Sequence, residues 1–305
     1  MAVRQRRPGT LPFLAALAIV AIGPYTGARA QVTARTMGTE SRDMFSDFGY
    51  LLRSPLRADR TEWAVVGLSA LGFAALLPAD TPVDRWVVDH PNALVLRVLA
   101  PFREESGPLD RLVTAKQLVP ISAALFLAGA VADRRGLREA GLGCIAGWGV
   151  SNVVRYATYA VISRDRPSAA DGNSLAFAVP GGKWDQHSFP AGHATNAFAC
   201  ASFWNTRFDL SVGEPALYAV ATLSSLARIA DRRHWTSDTF VGIVVGFAIG
   251  QTVARRYAVR EARRDLRARA ELVAGAGASN PADRATHHDR LVGSRHVVVL
   301  WRASF

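Results

Sequence analysis

Apolar runs alternate with short polar punctuation along most of this chain. Six segments, 63–77, 118–132, 140–162, 194–204, 216–230 and 240–253, are apolar and long enough for helices. Several carry Gly, Ala and Ser where close helix packing needs small side chains. Most fall short of the roughly 20 apolar residues that a bilayer crossing requires. The pattern predicts an all-α protein, a bundle of about six helices, without full insertion into a membrane.

The flanks behave differently. Arg4, Arg6 and Arg7 precede an apolar stretch at 11–22, and Ala28-Arg29-Ala30 follows it before Gln31. That is the three-part pattern of a cleaved secretory signal over residues 1–30, with an uncleaved anchor helix as the alternative. Residues 31–60 are amphipathic, are broken by Pro55, and suit either a membrane surface or a cover over the core. The bundle is expected over 61–258, and a basic helix with a flexible tail over 259–305. The closing "HVVVLWRASF" suits a short strand.

Composition narrows the class. Hydrophobic residues make up 50% and mean hydropathy is only +0.10, ordinary for a helical globular protein. The net charge of +11 comes almost wholly from arginine, since Lys116 and Lys183 are the only lysines. Such a charge favours phosphates, anionic lipid or nucleic acid. Seven arginines fall between Val253 and Ala270 without the interleaved aromatics of a nucleic-acid platform, so no nucleic acid is expected. Cys144 and Cys200 stand in apolar surroundings at no metal or redox spacing and read as buried free thiols.

Three polar clusters sit at helix ends: "SRDRP" (163–167), "SFPAGH" (188–193) and "ARIADRRHWTSD" (227–238). The 163–187 connection, rich in Pro, Gly, Asn and Asp, reads as an irregular loop of a length more often functional than idle. If consecutive helices run antiparallel, Arg164, Arg166, His193, Arg228, His234 and Asp238 gather at one end of the bundle. Fork-shaped guanidiniums suit a phosphate clamp. A histidine with a carboxylate four residues later suits a nucleophile or base held in one tautomer. A second histidine across the anion suits a general acid. Gly192 opens a helix whose dipole and N–H groups favour an anion. No metal is expected, because arginines crowd the His–carboxylate pair. Arg232 and Arg233 read as solvated bystanders, and His187 as a loop histidine.

The arrangement resembles the type 2 phosphatidic acid phosphatase superfamily, which also holds bacterial acid phosphatases and vanadium haloperoxidases. The family's Ser-Arg-x5-His-x3-Asp reads here as Ala227-Arg228, His234 and Asp238. Pro-Ser-Gly-His reads as Pro190-Ala191-Gly192-His193, and Lys-x6-Arg-Pro as Arg166-Pro167 with Tyr159 at the lysine position. The resemblance covers about residues 63–256. It implies that His234 attacks phosphorus, Asp238 holds its imidazole and His193 protonates the leaving oxygen. It also implies that Arg166, Arg228 and the Gly192 amide bind the phosphoryl oxygens. Three family residues are replaced, at Ala191, Tyr159 and Ala227. Arg155, one turn before Tyr159, and Arg164 are further candidates for the phosphate, and Lys183 is another substitute.

The implied function is hydrolysis of a phosphate monoester or diphosphate, on a lipid or a small phosphate ester, without a cofactor. The alternatives are a soluble periplasmic acid phosphatase, a vanadate-dependent haloperoxidase and a non-catalytic binder of anionic lipid. Arginines at 134–138 and 255–256 point to the cytoplasmic side if the helices span, which places the clusters on the periplasmic side. A cleaved signal followed by a spanning 63–77 segment inverts that order. The expectation is a membrane-associated protein of a bacterial-type envelope with a periplasm-facing site, or a periplasmic one.

Overall fold

The computed structural model describes residues 27–53, 60–103, 107–110, 115–178 and 186–278. The expected signal core, most of the expected tail and Lys183 lie outside them. The described residues form eight α-helices: α1 (Gly27–Arg53), α2 (Arg60–Asp89), α3 (Leu94–Leu99), α4 (Ala115–Val131), α5 (Arg135–Val161), α6 (Gly192–Phe208), α7 (Glu214–Ala230) and α8 (Thr236–Ala278). Single 3-10 turns at Ala100–Phe102 and Ser211–Gly213 lead out of α3 and into α7. The protein is all-α, as the periodicity predicts, and the six expected helices are α2 and α4 to α8. Most run longer than their apolar stretches, because the polar residues at each end continue the backbone ladder. Of the basic helix and tail expected over 259–305, residues 259–278 are helical.

The described residues of the 163–187 connection, 163–178 and 186–187, are more ordered than its composition suggests. Two short strands, β1 (Ser163–Arg164) and β2 (Phe177–Ala178), pair antiparallel, and Arg164 also bridges to His187. Backbone groups of this buried turn are thereby satisfied without helix.

Packing fixes which ends meet. Glu139 at the start of α5 takes Arg207 near the end of α6 at 2.8 Å, and Trp204 Nε1 donates to Ala140 O at 2.9 Å. α5 and α6 are therefore antiparallel, with the end of α5 and the start of α6 at the opposite pole. Gly242, Gly246 and Gly250 let α8 lie on the α6 backbone; a Cβ on Gly242 would stand 2.6 Å from Ala191 O. α3 packs Leu96, Leu99 and Phe102 onto Ala227 and Ala230 of α7, under the third cluster. α1 covers α5, with Glu40 paired to Arg138 at 3.1 Å, so at least this part of the amphipathic segment covers the core.

Cys144 and Cys200 form a disulfide between α5 and α6, with Cα atoms 4.7 Å apart. The expectation of free thiols is corrected. The two residues are 56 apart in sequence, so only antiparallel packing of their helices reveals them as partners.

Two helices are long and apolar enough to cross a membrane: residues 66–89 in α2, and 236–273 in α8. The α2 stretch is almost wholly outside the protein interior, with Trp63, Leu68 and Leu71 exposed. The apolar stretch read as 63–77 continues in α2, where Pro78, Asp80 and Pro82 interrupt the apolar run in sequence but not the helix. The first compact unit closes at Ala254; from Arg255 the chain forms a second unit that carries the arginine-rich sequence.

Candidate active site

Three local breaks build the site. α5 stops where Ile162 turns extended (φ −135°, ψ 115°) and delivers the Arg164–Pro167 turn. α6 starts at Gly192 after an extended Ala191 and a cis Phe189–Pro190 peptide bond. α7 ends at Ala230, and a turn with Arg232 at φ +55° closes as Arg233 N and His234 N both donate to Arg228 O (2.9 and 3.3 Å). Backbone bonds join the three: Ser168 N to Arg232 O at 3.2 Å, Ala191 N to Asp238 O at 3.2 Å, and Ser188 N to Arg164 O at 3.0 Å. The expected gathering of clusters at one pole is what the structure has.

His234 is buried, and its Nδ1 lies 2.7 Å from Ser188 O. A carbonyl oxygen only accepts, so Nδ1 carries the proton and Nε2 keeps its lone pair. Here the structure departs from the expected pairing. Asp238 does not bond the imidazole. Its Oδ2 accepts from Ser188 Oγ at 2.5 Å and from Trp235 N at 3.2 Å, and its Oδ1 accepts from Arg164 Nη1 at 2.5 Å. The carboxylate holds Ser188, and the Ser188 carbonyl holds the histidine.

Arg164 is likewise corrected as a candidate phosphate ligand. It is fully buried, and its three nitrogens donate to Ser174 O, Ser237 Oγ, Asp238 Oδ1 and Asp80 Oδ2 at 2.5–2.9 Å. All five N–H donors of the guanidinium are directed at protein oxygens. Arg232 is no solvated bystander: it grips Asp84 with Nε and Nη2 (2.7 and 2.9 Å) and Pro167 O at 2.9 Å, tying the third cluster to the first.

Three other guanidiniums converge. Arg228 is buried and held by Phe102 O at 2.5 Å, Asp110 at 2.7 Å and Asp231 at 3.4 Å. Arg166 is buried beside Pro167. Arg155 passes from α5 to the first turn of α6. Its Nη2 donates to Asn152 Oδ1 at 2.6 Å, and its Nε is buried without a hydrogen-bond partner among the described residues. Its Nη1 and Cδ would crowd a Cβ on Gly192, the Cδ at 2.8 Å, so a side chain there would displace this guanidinium.

The electrostatics reflect this crowding. Burial pushes His193 down to about 3, and the positive fields of Arg228, Arg155, Arg166 and Arg233 push the same way. His234 also falls well below the usual histidine value through burial and the charges of Arg166, His193 and Arg228, against the opposing bond to Ser188. Arg233, expected as a bystander, therefore bears on the site. Both imidazoles are neutral at pH 7. Tyr159, at the family's lysine position, is pushed up to about 12 by burial; its hydroxyl donates to His187 O at 3.3 Å and its ring stacks on His187 at 4.3 Å. It carries no charge to replace the lysine's.

Sequence reading missed Asp80, Asp84, Asp110 and the role of Ser188. Asp80 and Asp84 left a signal: two acids one helical turn apart in an apolar helix seek buried partners. Asp110 left none.

These features define a class first: an all-α bundle whose pole gathers arginines around two neutral histidines. Residues 140–261 match the model of the PAP2 superfamily. A lipid A 1-phosphatase of Porphyromonas gingivalis is 39% identical over 71 residues, 21% of this chain. The match spans 15% of that relative's length. The crystal structure of a transmembrane PAP2-type phosphatidylglycerolphosphate phosphatase from Bacillus subtilis aligns with 65% of this chain and 95% of its own, at TM-score 0.47 and 18% identity.

Proposed function

We propose that the chain is a metal-independent phosphatase acting on a phosphorylated lipid through a phosphohistidine. The observation that carries the reading is the His234 Nδ1–Ser188 O bond, which aims a neutral Nε2 into a pole ringed by Arg155, Arg166 and Arg228.

The phosphoryl oxygens lie among these arginines and the first N–H groups of α6 at Gly192 and His193. His234 Nε2 attacks phosphorus as the P–O ester bond breaks. The leaving oxygen takes a proton from His193, which becomes protonated only when the bound anion offsets the arginine charge. Water then attacks the phosphohistidine, returns a proton to His193, and frees phosphate and His234. Arginines supply the charge neutralisation that other phosphatases draw from metals.

A lipid substrate is supported by the outward apolar face of α2, which ends beside the site through Asp80 and Asp84. The printed activity of the similar lipid A 1-phosphatase points the same way. A periplasm-facing site is supported by the Cys144–Cys200 disulfide, a bond that persists in oxidising compartments. The test is phosphate release from phosphatidic acid in mixed micelles by wild type and His234→Ala. Release by wild type alone is expected; equal release by both sinks the nucleophile.

A further inference from the structure

Asp80 lies on α2, outside the 140–261 match, and is buried at 1% exposure. Its Oδ1 accepts Ser237 N–H at 2.9 Å, in the first turn of α8. Its Oδ2 accepts from Ser237 Oγ at 2.6 Å and from Arg164 Nη2 at 2.8 Å. One carboxylate thus caps a helix from another helix and fixes the plane of a buried guanidinium. Arg164 then reaches Asp238, Asp238 reaches Ser188 Oγ, and the Ser188 carbonyl reaches His234 Nδ1.

We propose that Asp80 is a positioning residue for the His234 imidazole, acting through Arg164, Asp238 and Ser188. The proposal rests on the reading of His234 as nucleophile. An amide at position 80 offers one acceptor oxygen to three donors and turns its own N–H groups toward them. Arg164 then stands between one carboxylate and a neutral group, and its pull on Asp238 changes. Asp238 is the group that seats Ser188, so the imidazole loses its fixed aim. The phosphate-binding arginines are held independently: Arg228 by Asp110 and Phe102, Arg155 by Asn152. Aim and anion binding are therefore separable.

Two oxyanions separate them. Phosphate reports the arginines alone. Orthovanadate expands to five-coordination and takes an imidazole lone pair as an apical ligand, so it also reports the direction of Nε2. The full-length protein is titrated with each by calorimetry, as wild type, Asp80→Asn and Glu40→Gln. The last removes a remote charge partner of Arg138 and serves as a stability control.

Wild type is expected to prefer vanadate. Asp80→Asn is expected to lose about 10–100-fold in vanadate affinity, the usual effect of removing a partner behind a ligating group, with phosphate affinity unchanged within about twofold. Glu40→Gln should keep the wild-type ratio. A wild type without vanadate preference overturns the nucleophile reading and this one with it. A retained ratio in Asp80→Asn, or equal loss of both anions, overturns the positioning role alone. Should Asp80→Asn not fold, Asp80→Glu, which displaces the carboxylate by one methylene, must show the same selective loss.

Discussion

Arg155 is the residue whose removal tests the site most sharply. The family resemblance puts a lysine at position 159, and this chain has a buried, neutral Tyr159 whose hydroxyl points at His187 O. One turn earlier on α5, Arg155 crosses to Gly192, where phosphate is to bind, with its Nε buried and not hydrogen-bonded among the described residues. On the proposed reading, Arg155 supplies that cation from four residues away on a similar helix face. Arg155→Met removes one charged donor set and leaves much of the stem's packing. At about 1.5–3 kcal/mol for a hydrogen bond to a charged group, kcat/KM should fall roughly tenfold to a hundredfold.

The decisive arm is relocation. Tyr159→Lys in the Arg155→Met background returns an ammonium to the family position. It also costs the stacking on His187, so full recovery is not expected. Phosphate release from phosphatidic acid is measured for the four combinations, with thermal melts to separate folding from function. Partial recovery in the double variant, with no gain from Tyr159→Lys alone, supports a displaced cation. An Arg155→Met enzyme with wild-type kcat/KM refutes the reasoning. So does a double variant no better than the single one.

The neutral His193 makes proton uptake on anion binding a second expectation. Burial, and after it the arginine charges, hold His193 down to about 3; a bound phosphate cancels the arginine part and raises it, so proton uptake is expected to accompany binding near pH 6. Calorimetry in two buffers of different ionisation enthalpy reads the number, and His193→Gln should abolish it. The same depressed histidines lower stability under acid. The unfolded chain binds their protons below about 6.5 while the folded one does not, so stability present above that value declines as pH falls toward 3. Denaturant melts from pH 7 to 5 should show this slope, and it should shrink in His193→Gln. Replacing Cys144 and Cys200 by alanine should cost about 2–4 kcal/mol of stability, read from melts, with kcat unchanged because the bond joins helices away from the site.

The bundle was legible because burial leaves a 3.6-residue signature, and the cluster pole followed from antiparallel connectivity. The placement of His193, His234, Arg166 and Arg228 at that pole was legible because they sit at fixed spacing at helix ends. Side-chain partnership was not. Asp238 at four residues from His234 invited a direct bond, yet the turn carries the carboxylate to Ser188, and the carbonyl of that residue occupies Nδ1. Arg164 and Arg166 are two residues apart in one buried turn, and sequence alone cannot say that the former faces carboxylates on α2 and α8. The disulfide was hidden for the same reason, since its 56-residue separation has no periodic trace.

The segment 60–110 bears on how the site can exist at all. Arg164, Arg228 and Arg232 all lie within the 140–261 match, and each has a carboxylate partner outside it: Asp80, Asp110 and Asp84. Stripping the buried Arg164 or Arg228 of its partner costs about 3–5 kcal/mol, and the part-exposed Arg232 less. Asp238 and Asp231 inside the match offset only part of this, because Asp238 also carries Ser188 and Asp231 also carries Arg103 at 2.7 Å. The chemical groups sit in the matched segment, but their orientation depends on α2 and the α3 turn. α2 is also the helix whose outer face is apolar along 66–89. α2 bears two of the three anchoring carboxylates, Asp80 and Asp84, so on the proposed lipid-phosphatase reading its apolar face and the aim of His234 are joined through one helix.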